Sequence, residues 1–81
     1  LWRIVIFDIP EYQKQARDAL SFKLKQMGML PIQKSVFISP FDCRNEIDFV
    51  IETFAIKPYV RYIVAKEIDI ALELRHKFRI A

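Results

Sequence analysis

Residues 2–9 read WRIVIFDI and are closed by Pro10. β-Branched and aromatic side chains dominate this run, which predicts a strand. Alternation places Trp2, Ile4 and Ile6 on one side and Val5, Phe7 and Ile9 on the other. A strand that is apolar on both sides belongs in the middle of a sheet, with cover on both faces. Any fold this chain adopts must therefore protect two sheet faces.

The rest of the chain supplies the partners. Pro10 and Glu11 open a helix that runs to about Met27, with Ala16, Leu20 and Leu24 four residues apart on one stripe. Gly28, the only glycine, stands where a helix end calls for positive φ. Leu30–Ser39 reads as extended. Pro31 confines its first part to a short edge strand, Leu30–Gln33, and a tight turn or bulge precedes a second strand over Ser35–Ser39. Asp42 is placed to cap a helix over Cys43–Phe54, striped by Ile47, Val50, Ile51 and Phe54. Pro58 breaks the chain before a strand over Tyr59–Ala65. Ile70, Leu74 and Phe78 then mark a final short helix.

The order β-α-β-β-α-β, followed by a helix, is the ferredoxin-like plan. It predicts an α+β sandwich: a four-stranded antiparallel sheet with both main helices on one face. The opposite face then has no cover from its own chain. A domain of 81 residues buries only roughly 60–65 % of its unfolded surface. Yet 53 % of its residues are hydrophobic and 14 % aromatic, a rich load for so small a body. Two sheets stacked across a two-fold axis would use it, which predicts a homodimer with Ile4, Ile6, Val36 and Tyr62 at the interface.

Several classes of protein are disfavoured. One cysteine, Cys43, excludes an internal disulfide and a multi-cysteine metal site, and reads as cytoplasmic. No apolar run approaches the roughly 20 residues of a membrane span, and no secretion signal opens the chain. A single glycine leaves no phosphate-binding loop. The net charge of +3 is compatible with a polyanionic partner without requiring one. The start at Leu1 rather than Met reads as one domain, residues 1–81, excerpted from a longer chain.

Asp8 is the main candidate for chemistry. At the exit of a central strand, a carboxylate lies near buried surface and faces a desolvation cost. It would cap the turn into the first helix or, paired with its mate across a two-fold axis, hold a Mg²⁺ that polarises a phosphodiester. Lys14 and Arg17 lie three residues apart on the first helix, and a dimer would double them into a surface for a nucleic-acid backbone. His76 and Cys43 lack the partners that catalysis would need. The aromatic residues fall mostly on core periodicity and read as packing.

The strand IVIFDIP (Ile4–Pro10) followed by a basic helix resembles the start of the CRISPR-associated Cas-two family, and QKSVF (Gln33–Phe37) resembles that family's second motif. With Tyr59–Ala65, the likeness covers about residues 2–65. The chain more closely resembles the central, Cas-two-like domain of PaaX-like transcriptional regulators. Four segments carry this likeness: WRIVIFDIPE (Trp2–Glu11), ARDAL (Ala16–Leu20), QKSVFISP (Gln33–Pro40) and KPYV (Lys57–Val60). The resemblance implies a ferredoxin-like homodimer without enzymatic activity or a cofactor. DNA, rather than RNA, would be read mainly by a flanking winged-helix segment. The Cas-two alternative implies a Mg²⁺-dependent nuclease or spacer-adaptation subunit, with Asp8 as the metal ligand. Cas-two proteins carry a C-terminal strand that pairs with the partner, whereas here residues 66–81 read as helix.

Overall fold

The computed structural model of the chain describes residues 1–80. Its elements are β1 (Trp2–Phe7), α1 (Lys14–Gln26), β2 (Leu30–Gln33), β3 (Val36–Ser39), α2 (Arg44–Thr53), β4 (Val60–Ala65) and α3 (Ala71–Phe78), with short 3-10 turns at Glu11–Gln13 and Lys57–Tyr59. All sheet pairings are antiparallel, and the strand order is β2-β3-β1-β4. This is the ferredoxin-like arrangement that the element order predicts. β1, apolar on both sides, lies inside the sheet, and the proline-bearing β2 lies at an edge.

Register sorts the side chains between two faces. Val5 pairs with Phe37 on β3 and Tyr62 on β4, and Phe7 pairs with Val60. This face meets α1 through Ala16, Leu20 and Leu24 and α2 through Ile47, Val50 and Ile51, forming the main core. Phe7 and Phe37 stack within it, centroids 6.1 Å apart.

All three helices end in the same way. Gly28, Ala55 and Arg79 have positive φ, at 84°, 53° and 57°. In each case the next residue's N–H returns five residues: Met29 to Leu24, Ile56 to Ile51, Ile80 to Arg75. These are Schellman closures, which satisfy the last carbonyls of a helix. At the other end of α2, Asp42 Oδ1 accepts the Arg44 N–H at 3.2 Å, but the N-cap is Cys43 and no side chain caps it, so Asp42 stands one residue ahead of the capping position expected for it.

Two expectations are corrected. The second sheet face does have cover from its own chain. Leu74 of α3 packs with Trp2 and Ile38 in a separate cluster, joined by half-buried Ile4, Leu30, Ile70 and Phe78. The apolar i, i+4 spacing of Ile70, Leu74 and Phe78 is a sheet-facing stripe, which turns the tail back over the sheet. The aromatic residues are not uniformly core either: Phe22, Phe41, Phe49 and Phe54 are exposed, and Phe54 lies just past the end of α2 rather than on its buried stripe.

Candidate functional site

The exit of β1 is pinned to its neighbours by the backbone. The Phe7 N–H donates to Ser35 O at 3.1 Å and the Asp8 N–H to Tyr59 O at 2.9 Å. Asp8 thereby lines an open cleft of about 260 Å³ with Ile6, Phe7, Pro58, Tyr59 and Arg61. The Asp8 side chain is exposed, so the expected desolvation does not occur, because the strand ends at the sheet's rim. Nor does Asp8 cap the turn: the residue preceding the 3-10 turn is Pro10, and no side chain caps it. Among the described residues the Asp8 carboxylate forms no ion pair.

Mg²⁺ asks for several oxygen ligands in octahedral array. Among the described residues no three His, Cys, Asp or Glu side chains gather around a metal position. Arg61 shares the cleft with Asp8 and opposes a cation there. The residues of one chain therefore do not fit a Mg²⁺ centre.

Nearby, the Tyr12 and Tyr59 hydroxyls lie 3.4 Å apart. That contact raises the Tyr59 pKa above its ordinary value, because its phenol hydrogen-bonds Tyr12. Lys14 and Arg17 share the first turns of α1, but Arg17 is engaged. Its Nη1 lies 2.8 Å from Glu11 Oε2 and its Nε 3.8 Å from Asp18 Oδ1. The Arg17 guanidinium beside Glu11 holds that carboxyl below the usual carboxylate range. Lys14 is exposed and makes no ion pair among the described residues.

The four residues grouped as an interface do not share a face. Ile6, Ile4 and Val36 lie on the second face, Ile6 and Ile4 opposite Arg61 and Ile63. Ile4 is partly covered by the α3 cluster. Tyr62, opposite Val5, points to the helical face instead. There Arg44 lies over its ring at 5.0 Å, and its hydroxyl is buried close to Cys43 without a hydrogen-bond partner. Missed in the sequence were Ile63 and Val64, apolar residues left 39 % and 52 % exposed on β4. Their signal is the edge position of β4, which the strand run alone does not reveal.

Cys43 is buried, its Sγ 3.9 Å from Met29 Sδ. Burial pushes its thiol pKa up, the direction that disfavours the nucleophilic thiolate. His76 is exposed on α3, in its last turn beside Arg75 and Lys77.

These features define a small ferredoxin-like α+β domain whose unassigned surfaces are apolar and basic. The chain belongs to the family described as the PaaX protein central Cas2-like domain, which it matches over residues 1–79. No curated protein matches it. No helix among the described residues is long and apolar enough to cross a membrane.

Proposed function

We propose that this domain is the dimerisation domain of a PaaX-like, DNA-binding transcriptional regulator of the cytoplasm. The observation that carries the reading is the family match over residues 1–79. Two structural features support it. Ile63 and Val64 remain exposed on β4, and apolar groups of this kind mark association surfaces when they adjoin. Of the two α1 cations expected to face a duplex, Arg17 is engaged by Glu11 and Asp18. DNA reading is accordingly assigned to other parts of such a regulator.

The test has two arms. Sedimentation equilibrium of the 81-residue chain should show a reversible dimer. Titration with duplex DNA should show only weak binding that fades steeply as salt rises. A chain that stays monomeric at high micromolar concentration overturns the dimerisation role. Tight, sequence-selective binding by this chain alone overturns the division of labour.

A further inference from the structure

The two edges of the sheet are not alike. β2 is guarded: it carries Pro31, which cannot donate to a ladder, and an irregularity between Pro31 and Gln33. β4 has neither device. It is six residues long, contains no proline, and its only charge is Arg61. It also leaves an apolar side chain exposed on each face, Ile63 on one and Val64 on the other.

The hydrogen-bond pattern tells which backbone groups of β4 point outward. The Asp8 N–H donates to Tyr59 O, so Tyr59, and by alternation residues 61, 63 and 65, face β1. Residues 60, 62 and 64 face away from the sheet. Consistent with this, the Val60 carbonyl accepts from its neighbour's guanidinium, Arg61 Nη1, at 3.0 Å. Val60 is thus occupied. Tyr62 and Val64 are the β4 residues left with outward backbone groups and no partner among the described residues.

We infer that β4 pairs edge to edge, antiparallel, with β4 of a second copy of this chain, on a two-fold axis through Ile63. The inference rests on the dimerisation reading and names its surface. In this register Tyr62 and Val64 exchange backbone bonds with Val64 and Tyr62 of the other copy, which uses the free groups and avoids Val60. Ile63 meets its own mate in a non-hydrogen-bonded pair, where side chains approach most closely, with Cα atoms about 4.5 Å apart. Arg61 falls opposite Ala65, so no like charges are opposed. A foreign strand would have to match apolar positions on both faces, and a second copy does so by symmetry. The result is one sheet running through both copies, with α1 and α2 of each on the same side.

Sedimentation velocity over a concentration series, with circular dichroism to confirm folding, tests this on the 81-residue chain. Ile63→Lys and Ile63→Glu each place like charges face to face on the axis. Each should weaken the dimer at least about tenfold. Mixing the two variants should restore a heterodimer. Ile6→Lys, on the second face but off the edge, should leave association unchanged. A wild-type chain that never associates overturns both this inference and the dimerisation reading. Association lost in Ile6→Lys but kept in Ile63→Lys overturns the edge and preserves dimerisation through the sheet face. Failure of the mixed variants to pair, with each alone dissociated, also overturns the edge.

Discussion

The ring of Trp2 stands 6.5 Å from that of Phe78, centroid to centroid, tilted by 48°. The first residue of β1 and the last of α3 thus share one aromatic contact. The contact is the outer margin of the cluster that Leu74 anchors. No ion pair or side-chain hydrogen bond ties α3 to the sheet among the described residues. An eight-residue helix is too short to persist without tertiary packing. Leu74→Ala should therefore cost about 2–4 kcal/mol, with the loss capped at the energy that docks α3. Trp2, the only tryptophan, reports the event directly. Its emission should shift to the red in this variant while the helical signal of α1 and α2 persists. Unchanged emission with unchanged urea midpoint would show that α3 does not cover Trp2 in solution.

The three helix ends differ in what they ask of the side chain. Gly28 adopts its φ of 84° freely, and a Cβ built there meets nothing within 4 Å. Gly28→Ala should then lose about 1 kcal/mol from backbone strain alone. Ala55 holds φ 53° with a Cβ present, so Ala55→Gly should gain about 1 kcal/mol despite the added freedom of the unfolded chain. Chemical denaturation of both variants reads the two signs. A stabilising Gly28→Ala would contradict the left-handed closure.

Cys43 and Tyr62 predict an alkaline weakness. Burial raises the thiol above its ordinary 9.0 and the phenol above its ordinary 10.0. Both groups hold their protons more tightly folded than unfolded. Their contribution is complete below about pH 9 and is lost as pH climbs through the raised values. Tyr62→Phe also removes a buried hydroxyl that has no partner. Since such a group costs about 1–3 kcal/mol, the variant should be at least as stable as the parent at pH 7 and less sensitive between pH 9 and pH 11. The check is the urea midpoint across that range. A steeper alkaline loss in Tyr62→Phe would refute the assignment.

The fold could be read from the sequence because its signals are local. The two-sided apolar run of β1, the i, i+4 stripe of α1, Pro31 at an edge and Gly28 at a helix end each specify their own neighbourhood. The site could not, because its determinants are pairings. Whether Asp8 is buried depends on how far Phe7 is from the sheet's rim. Whether Arg17 is free depends on Glu11, six residues before it, folding back to 2.8 Å. The face of Tyr62 is set by its pairing with Val5, a register that no run of neighbouring residues contains. The tail reads as helix, and α3 occupies Ala71–Phe78 of it, residue 81 lying outside the described residues; its stripe faces the sheet, and that contact removes part of the bare surface on which face-to-face stacking depends.

Asp8 supplies the last prediction. Its side chain is exposed and forms no ion pair among the described residues. Asp8→Ala should leave stability within about 0.5 kcal/mol, as for surface sites without partners. A metal held only by the folded protein would raise its melting temperature by mass action. Because a single carboxylate beside Arg61 is a poor Mg²⁺ site, millimolar Mg²⁺ should leave the parent and the variant melting alike, and EDTA should change neither. Thermal denaturation and a nuclease assay on the same samples decide the matter. A Mg²⁺-dependent rise in melting temperature, accompanied by cleavage and abolished in Asp8→Ala, would mean that two copies bring their carboxylates together. It would also replace the edge pairing through Ile63 with a dimer built around the β1 exit.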